Sequence, residues 1–296
     1  MSKINKWDDA IFMAVVYIIL IFSGLVVAYP LIYAVSASFS STQAVVSGRV
    51  ILWPVDLSLY AYQVAFRNSM IMIGYRNSIF YTVLGTIFNL IMCTLCAYPL
   101  SRKRLLGRSF FSWMLIITMF FSGGLIPTYL VVSKLGMINT IWAMTLPGAM
   151  SAWYVILMRT YLTSSIPEEL FESANIDGCG GIMALFAIVL PLSKPILAVI
   201  ALYCAVGIWG SYFDAFIYLT NKDLFPLQIA LRNILIVNQI SDVSTIMDVK
   251  EMMVRQGLIN VLRYAVIVMA SVPPLMLYPF AQKHFLKGIM IGSLKG

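Results

Sequence analysis

The residues that could do chemistry in this 296-residue chain are few and lie far apart in the sequence. Cys93 and Cys96 have the Cys-x-x-Cys spacing of redox and metal sites, but they lie in a long apolar segment without further ligand types nearby. We therefore interpret the two thiols as packing groups, with a metal pair as the alternative. The chain has one histidine, His284, and a lone histidine in a terminal segment is typical of a solvated residue rather than a catalyst.

Ionisable side chains within the apolar segments are also scarce. Asp214 and Arg263 lie well inside such segments, and Lys194 lies at an edge. Ion-coupled carriers need intramembrane carboxylates or histidines as relays, and two isolated charges make a poor relay. The chain has no GxxxxGK[ST] phosphate loop, so we expect the energy for uphill transport to come from another protein. An ion-coupled carrier is the alternative, and a membrane-embedded enzyme would need a cluster of His, Cys or carboxylates at one depth.

The elements that must position these residues are membrane helices. Hydrophobic residues make up 61% of the chain and charged residues 11%, whereas soluble domains carry roughly 25% charged residues. The apolar residues are grouped in blocks about as long as a bilayer crossing, ~20 residues. We identify six blocks, near residues 11–38, 77–99, 110–133, 141–162, 192–220 and 258–281. Because the first block is too long for a signal peptide, the sequence predicts an all-α polytopic membrane protein with six transmembrane helices in one transmembrane domain, residues 1–296.

The distribution of basic residues predicts the orientation of the chain. Short loops rich in lysine and arginine stay in the cytoplasm. The segment SRKRLLGR after the second block is strongly basic, and lysines also lie before the first block and after the sixth. With six crossings, these segments, both termini and residues 164–190 are expected on the cytoplasmic side. The net charge of +8 mostly reflects this bias, because the basic residues lie at span edges rather than on one face that could bind a nucleic acid.

Residues 164–195, SSIPEELFESANIDGCGGIMALFAIVLPLSKP, form a polar and acidic segment between two apolar blocks. Ser165, Pro167 and Glu168 fit a capping box, which predicts a helix over residues 166–176. Carboxylates in its first turn would be stabilised by the helix dipole. The apolar face of this helix consists of Leu170, Phe171 and Ala174.

Glycines and prolines then divide the segment. Gly178, Gly180 and Gly181 follow the helix, and glycine supplies the left-handed backbone that ends a helix and lets another surface approach closely. A second short helix is expected over about 182–189, and two prolines mark the return to the bilayer, Pro191 and Pro195. Ordinary connectors are shorter, ~4–6 residues. We therefore expect a loop that fits a partner protein, with a solvated helical connector as the alternative.

This segment resembles the cytoplasmic coupling loop, or EAA loop, of binding-protein-dependent ABC importers. The family pattern is approximately EAA-x-x-DGA, a short helix and LP-x-x-x-P, and the matching residues are Glu172, Ala174, Asp177, Gly178, Leu190, Pro191 and Pro195. Ser173 and Cys179 replace small alanines, and Ala187 stands where the family often has arginine. The resemblance covers about residues 75–296 and includes the pair Asn77-Ser78 at the start of the second block.

The resemblance implies a permease subunit with the type I ABC importer fold, similar to the second permease of maltose-type importers and to permeases for larger or acidic oligosaccharides. Its expected partners are a homologous permease, two ATPase subunits, an extracytoplasmic solute-binding protein, an oligosaccharide substrate and the lipid of a bacterial cytoplasmic membrane. The chain itself is expected to bind no cofactor, because the resemblance implies that ATP and Mg²⁺ are bound by the ATPase. In the loop, Leu170, Phe171 and Ala174 are expected to provide the buried face, Glu172 and Asp177 the polar contacts, and Gly178 the close approach.

A substrate pathway is predicted from aromatic residues of the fifth block, because sugar sites combine aromatic faces with hydrogen-bonding groups. Trp209, Tyr212 and Phe213 have the i, i+3, i+4 spacing of one helix face. Asp214 would lie near the translocation cavity on an offset face, because a carboxylate is costly in lipid. An aromatic belt at the bilayer boundary, with Asp214 near the headgroups, is the alternative.

The polar segment 221–257 is too long for a turn between spans. Its residues 224–231 are expected to form a short amphipathic element at the membrane surface. Together with residues 39–76, it is the expected docking surface for a solute-binding protein, with a structural cap over the pore as the alternative.

Overall fold

The computed structural model describes residues 6–234 and 249–293, and this part of the chain is helical without any strand. The predicted all-α fold is therefore confirmed. The described residues pack as two compact units, one drawn from residues 6–71, 231–234 and 249–271 and the other from residues 72–230 and 272–293. Each unit has its own buried apolar core.

The first unit contains a long helix whose apolar side chains point outward. Its helices are α1 (Lys6–Ser38), α2 (Thr42–Val46) and α3 (Tyr60–Arg67), with parts of later helices. Small residues of α1, α2 and α3, namely Ala37, Ala44 and Ala61, are almost fully buried in the core of this unit. Most of the large apolar side chains of α1 are exposed, and exposed apolar surface of this extent indicates contact with lipid or protein rather than water.

The second unit carries the acidic loop and is built around one long helix. Its helical segments are α4 (Ser69–Ser101), α5 (Arg108–Phe120), α6 (Leu125–Lys134), α7 (Ile141–Thr145), α8 (Ala152–Ser165), α9 (Glu168–Ile176), α10 (Gly181–Ala184), a π-helical turn (Leu185–Val189), α11 (Leu190–Leu192), α12 (Lys194–Gly210), α13 (Phe213–Tyr218), a 3-10 turn (Lys222–Leu224), α14 (Leu227–Arg232) and α15 (Val249–Ser293). Three of these helices, α4, α14 and α15, also supply residues to the first unit.

Three stretches of the described chain are long and apolar enough to cross a membrane as single helices. They are Phe12–Ser38, Ser69–Ser101 and Gly257–Pro279, and they correspond to the first, second and sixth predicted spans. The number rises to five if each of two bent helix pairs counts as one span. The predicted class of a polytopic membrane protein agrees with these lengths.

The third predicted span is a bent pair rather than a straight helix, and the fifth, residues 192–220, follows a bend at its start and is broken again after Gly210. α5 and α6 meet at 112° across residues 121–124, and the helical segment ending at Leu192 meets α12 at 79°. Gly124 has a φ of +83°, a left-handed conformation that glycine adopts without strain. The block at 110–133 is therefore two helices, because its central glycine turns the backbone.

The fourth predicted block, residues 141–162, is also divided. α7 has five residues and α8 begins only at Ala152, with Pro147 and Gly148 between them. Proline has no amide hydrogen to donate to the preceding turn, so a helix does not continue through it easily. The apolar composition predicted one continuous span, but the structure has a break in the helix between Thr145 and Ala152.

The core of the second unit surrounds the C-terminal half of α4. Cys93 of α4, Met158 and Leu162 of α8, Val189 of the π-helical turn and Ile200 of α12 are fully buried in it. This packing holds α8 and the bent segment 181–210 against α4. It thereby positions α9, the helix that connects them in the chain.

Candidate functional site

α9 is the centre of the candidate site, and it begins after a sharp turn from α8. α8 continues to Ser165, Ile166 is extended, and Pro167 precedes the first helical residue, Glu168. The predicted capping box is therefore wrong, since Ser165 belongs to α8 and its buried Oγ makes no hydrogen bond within the described residues. A proline disfavours helical backbone at the residue before it, which ends α8 at this point. Glu168 and Glu169 still occupy the first turn, where the helix dipole stabilises carboxylates.

Phe171 holds α9 to the rest of the chain. Its side chain is 6% exposed, and its ring centre lies 6.4 Å from that of Tyr98 near the end of α4. The guanidinium carbon of Arg102 lies 3.2 Å from the centre of the Phe171 ring. A guanidinium within about 6 Å of an aromatic ring centre is attracted by the ring quadrupole. The hydroxyl of Tyr98 also donates a hydrogen bond of 3.1 Å to the carbonyl of Gly181, beyond α9. The C-terminal end of α4 therefore contacts both sides of the glycine break.

The charge of Arg102 is only partly compensated by its neighbours. Its Nη1 lies 3.9 Å from Oε1 of Glu168, which is an ion pair but too long for a hydrogen bond. Burial lowers the pKa of the Arg102 guanidinium, and the Glu168 carboxylate opposes that shift. An arginine stays protonated at neutral pH nonetheless. A cavity of about 110 Å³ lies beside it and is also lined by Glu172 and Asn175 of α9, so the polar side of this helix is not closely packed on its own chain.

Gly178 ends α9 with a φ of +74°. Its amide donates to the carbonyl of Asn175 at 3.1 Å, and the amide of Cys179 donates to the carbonyl of Ala174 at 2.8 Å. These two bonds form the Schellman motif, in which a left-handed glycine closes the last helical turn. The predicted glycine turn is confirmed. Among the described residues, a Cβ at Gly178 would meet no atom within 4 Å, so glycine is required here by its backbone conformation and not by crowding from them.

The other predicted coupling residues differ in exposure. Leu170 is 43% exposed, and Ala174 is half-buried. Glu172 and Asp177 are exposed. The predicted single apolar face of α9 is therefore divided, because Phe171 packs within the chain while Leu170 points away from it.

The exposed apolar surface around α9 extends beyond the predicted residues. Ile176 is 87% exposed at the end of α9, and Ile182, Met183 and Phe186 are 78%, 65% and 64% exposed in the next helical segment. Large apolar side chains in an otherwise polar loop were the signal that could have identified them in the sequence.

The second helix of the loop is longer than predicted. Instead of residues 182–189 it covers 181–192, as α10, a π-helical turn and α11. Pro191 lies in the first turn of α11 and Pro195 in the first turn of α12, and the chain bends by 79° between these segments. The first turn of α12 tolerates Pro195 because the amides there have no helical partner, whereas Pro191 directly follows the π-helical turn near the end of the continuous segment. The predicted role of the two prolines at the return to the apolar block agrees with this geometry.

The aromatic residues of the predicted substrate pathway do not share one helix face. α12 ends at Gly210 and α13 begins at Phe213, so the i, i+3, i+4 relation to Trp209 and Tyr212 is broken. Trp209 is 6% exposed and meets the ring of Tyr75 edge-on, with centres 5.6 Å apart. The predicted shared face required a continuous helix through residues 211–212 and is therefore wrong.

Tyr212, Phe213 and Asp214 lie on the exposed side of this break. Tyr212 is 48% and Phe213 is 49% exposed, and their ring centres lie 6.4 Å apart. Asp214 is exposed in the first turn of α13, where its Oδ2 accepts a hydrogen bond of 2.9 Å from the hydroxyl of Ser211. Polar and aromatic groups therefore remain accessible at this point of the chain.

A group of buried polar residues in the N-terminal half of α4 was not predicted to belong to a site. Asn77, Ser78 and Tyr81 bind the backbone of residues 220–228, a segment that we call the strap. Four hydrogen bonds join them: Asn77 Nδ2 to the carbonyls of Asp223 at 2.7 Å and Phe225 at 3.1 Å, Tyr81 Oη to the carbonyl of Leu224 at 2.8 Å, and the amide of Leu227 to Ser78 Oγ at 2.9 Å. α4 begins at Ser69, so Asn77 and Ser78 lie within it rather than at its start as predicted.

Gly74 completes this surface of α4. A Cβ at Gly74 would lie 3.0 Å from Cα of Leu227, so only glycine lets the strap backbone pass this close. The four positions 74, 77, 78 and 81 have the i, i+3, i+4, i+7 spacing of one helix face. A glycine and three hydrogen-bonding residues at this spacing were the sequence signal for the strap contact, although its partner could not be inferred.

The predicted amphipathic surface element over residues 224–231 is wrong. Leu227 and Ala230 are 0% exposed, and Ile229 is 4% exposed, so this stretch lies in the protein interior. The hydrogen bonds to α4 supply partners for its backbone there. Residues 235–248 of the predicted docking segment, with Asp242 and Asp248, lie outside the described residues.

The Cys-x-x-Cys pair lies within α4, and both thiols are free. Cys93 is fully buried, and its Sγ lies 3.2 Å from Oδ1 of Asn89. Over the described ranges, no three His, Cys, Asp or Glu residues lie close enough to hold a metal ion.

Known proteins similar to this chain belong to one transport family. The sequence matches the family described as binding-protein-dependent transport system inner membrane component over residues 69–290. The polygalacturonan/rhamnogalacturonan transport system permease protein YtcP of Bacillus subtilis (strain 168) is 39% identical over 293 residues, which covers 97% of this chain and 99% of the relative. Protein LplC of the same organism is 38% identical over 273 residues, covering 92% of this chain and 91% of the relative.

A solved structure gives the same result for the fold. One chain of a bacterial ABC transporter involved in the import of the acidic polysaccharide alginate is 34% identical, with a TM-score of 0.85, and the match covers 96% of this chain and 99% of that chain. Both α9 and the strap lie within the region matched by the family. The chain therefore belongs to the family of binding-protein-dependent transport system inner membrane components and is the permease subunit of an ABC importer, in which a separate subunit hydrolyses ATP.

Proposed function

We propose that this chain pairs with a homologous permease to form the translocation pathway for an acidic oligosaccharide. Two ATPase subunits bind on one side of the membrane, and an extracytoplasmic solute-binding protein delivers the cargo on the other. The main support is the presentation of α9, a short helix held to α4 through Phe171 while polar and apolar side chains on its other side stay exposed. A helix presented in this way suits a groove on a partner protein.

Movement of the ATPases reaches this chain through α9, because one side of the helix is fixed to α4. Phe171 is a positioning residue in this proposal, since its side chain is buried against Tyr98 and Arg102 and cannot enter a partner groove. Gly178 leaves open space for the ATPase to approach the end of the helix. The remaining contacts to the ATPase are Leu170 and Ala174 for apolar packing and Glu172 and Asp177 for hydrogen bonds.

The orientation of the chain follows from its basic residues. The segment 102–108, immediately after α4 and beside α9, holds four arginines and lysines, and short basic loops stay in the cytoplasm. We therefore place α9 and both termini in the cytoplasm of a bacterial cell and the strap on the opposite side of the membrane. ATP and Mg²⁺ are then bound by the ATPase subunits, and this chain binds no cofactor.

The nature of the cargo is inferred from the relatives, whose names specify polygalacturonan/rhamnogalacturonan and alginate. For the pathway, Tyr212 and Phe213 offer accessible aromatic faces of the kind on which sugar rings stack. Asp214 would accept hydrogen bonds from sugar hydroxyls. It would not bind the acidic groups of the cargo, because like charges repel each other. Trp209 contributes by packing rather than by contact with the cargo, because it is buried and its ring meets that of Tyr75.

The proposal is tested by purification and reconstitution. The tagged chain is expressed with the permease, ATPase and solute-binding protein of the same organism, and uptake of a labelled oligogalacturonide into ATP-loaded proteoliposomes is measured. We expect co-purification of the ATPase, uptake that requires both ATP and the solute-binding protein, and little uptake of the methyl-esterified, neutral oligomer. Preferred uptake of the neutral oligomer would contradict an acidic cargo.

The same preparation separates the importer from an ion-coupled carrier. An ionophore that collapses ion gradients would leave ATP-driven uptake intact, whereas it would stop a carrier. Uptake that survives without ATP but fails with the ionophore would contradict the proposed coupling.

A further inference from the structure

α4 is a continuous helix of 33 residues that holds two separate segments of the second unit. Near its C-terminal end it contacts Phe171 of α9, and in its N-terminal half it binds the strap. Tyr98 lies twenty positions after Ser78, and none of the nineteen residues between them is a proline. At 1.5 Å per residue this distance is about 30 Å, roughly the thickness of the hydrocarbon core of a bilayer.

The strap is attached to α4 by its backbone rather than by mobile side chains. All four hydrogen bonds from α4 end on main-chain atoms of the strap. The α4 residues that make them, Asn77, Ser78 and Tyr81, are 7%, 3% and 2% exposed. Because the alternative to each bond is a buried polar group without a partner, the strap has little freedom to move relative to α4.

Two more side chains hold the ends of the strap. Oδ1 of Asn139 accepts hydrogen bonds from the amides of Thr220 at 3.0 Å and Asn221 at 2.8 Å. At the other end, Nε2 of Gln228 donates to the carbonyl of Trp209 at 3.3 Å. The strap is therefore a fixed part of the second unit.

The chain also connects α9 to the strap through α12, which is a second possible path for movement. This path is not one continuous helix. α12 ends at Gly210, and two non-helical residues separate it from α13. α4 is continuous between its two contacts. Closely packed, continuous elements transmit displacement better than jointed ones.

We infer that α4 makes the strap move together with α9, so that closure of the ATPases is carried across the membrane to the strap. Asn77, Ser78 and Tyr81 are then positioning residues for transport, although they touch neither the ATPase nor the cargo. The inference rests on the proposed function, because α9 needs its ATPase partner to be moved.

The first test removes three of the four bonds from α4 while keeping the shape of the side chains, with the double variant Asn77→Leu, Tyr81→Phe. In the reconstituted importer, ATP hydrolysis is measured with and without cargo-loaded solute-binding protein, and the ratio of the two rates reports coupling across the membrane. We expect the ratio to fall roughly fivefold or more, since coupling energies between sites correspond to about that range. An assembled double variant with an unchanged ratio and normal uptake overturns the inference.

Asn89→Leu is the matched control. Asn89 lies on the same helix, is 3% exposed, and donates from Nδ2 to the carbonyl of Gly148 at 3.1 Å. Its replacement removes a buried amide from α4 without touching the strap, so the stimulation ratio should be retained. An equal loss of the ratio in Asn89→Leu would assign the effect to general damage of α4 and overturn the role of the strap.

The second test measures directly whether the strap stays fixed to α4. Spin labels are placed at Leu95 and Lys222, both exposed, in a chain whose native cysteines are replaced. With the strap bonds intact, the distance between the labels should be the same in the nucleotide-free and ATP-bound importer, and in the double variant it should broaden or shift. A strap that moves relative to α4 between the two nucleotide states with its bonds intact contradicts the inference.

A failure of assembly does not leave the question open. If the double variant does not form a complex, Tyr81→Phe alone is measured, because it removes one hydroxyl and keeps the ring. Failure of the proposed function would appear differently, as absence of co-purified ATPase with the unmodified chain. A chain that couples to the ATPase but keeps a normal ratio in Tyr81→Phe would overturn only the inference about the strap.

Discussion

At one end of α4, three buried polar side chains bind the backbone of the strap, whereas at the other end the contact with α9 is made by the ring of Phe171 beneath an arginine. The first contact consists of short hydrogen bonds made by buried side chains of α4. The second consists of an aromatic pair, a guanidinium over a ring and an ion pair of 3.9 Å beside a small cavity. One helix therefore carries a rigid attachment and a softer one.

The difference follows from the forces involved. Hydrogen bonds to main-chain atoms depend on direction and leave buried groups unpaired when they break. Contacts between a guanidinium and a ring keep much of their energy when the groups slide, because the ring face is broad. The strap contact suits an element that must keep its position on α4, and the α9 contact suits a helix that must stay attached to α4 while its exposed side chains adjust to a partner. The following predictions test that contrast, from the largest expected effect to the smallest.

Gly178→Asp is expected to abolish ATP-driven uptake while leaving insertion into the membrane intact. The residue has a φ of +74°, where side chains are strained, and we propose that the ATPase occupies the open space around it. Uptake into proteoliposomes and the amount of chain in the membrane are the measurements. Normal transport by this variant would remove α9 from the coupling path.

Gly180→Ala is the control for the Gly178 variant. Gly180 lies two residues further along the same loop but has a φ of −68°, and a Cβ there would also meet nothing within 4 Å in the part of the chain that the structure describes. We expect near-normal uptake. If the two variants behaved alike, the left-handed turn would not be the reason for the effect.

Phe171→Ala is expected to release α9 from α4. Removal of a buried phenylalanine side chain costs about 3–5 kcal/mol in soluble proteins, and here the loss falls on one short helix. We expect much faster hydrogen exchange across residues 168–176. We also expect a decrease in uptake of roughly tenfold or more, because only the molecules in which α9 is folded and in place can bind the partner. Leu170→Ala, at the exposed neighbour, should leave the exchange rates nearly unchanged. Unchanged exchange in Phe171→Ala would contradict the anchoring role of the ring.

Tyr81→Phe and Tyr98→Phe remove the same hydroxyl group at the two ends of α4. Tyr81 is 2% exposed and its bond to the carbonyl of Leu224 is 2.8 Å, whereas the bond of the more accessible Tyr98 to the carbonyl of Gly181 is 3.1 Å. We expect a loss of about 1 kcal/mol or more for Tyr81→Phe, because the half-buried carbonyl of Leu224 loses its partner, and a smaller loss for Tyr98→Phe, because water replaces the hydroxyl at the exposed Gly181. Thermal unfolding of the purified importer is the measurement. A larger effect at Tyr98 would reverse the contrast between the two ends.

Local features of the sequence predicted the parts of the site that depend on neighbouring residues. The Asp177-Gly178 turn and the prolines on both sides of residue 193 were identified because backbone conformation at glycine and proline depends on the residue itself. The predicted capping box at Ser165 is wrong because Ser165 could either continue α8 or cap α9. In the structure it is the last residue of α8, and Pro167 precedes α9 instead.

The sequence by itself determined that this is a helical membrane protein of the importer family with a glycine-ended helix in a polar loop, because composition, backbone preference and motif spacing are local properties. The tertiary structure alone decided that Phe171 faces Arg102, that α12 stops before Tyr212, and that Asn77 binds carbonyls 146 and 148 residues away. Every residue has a main-chain carbonyl, so the sequence does not show which residue will accept such a hydrogen bond. Such contacts depend on how distant segments pack, and only the folded chain brings them together.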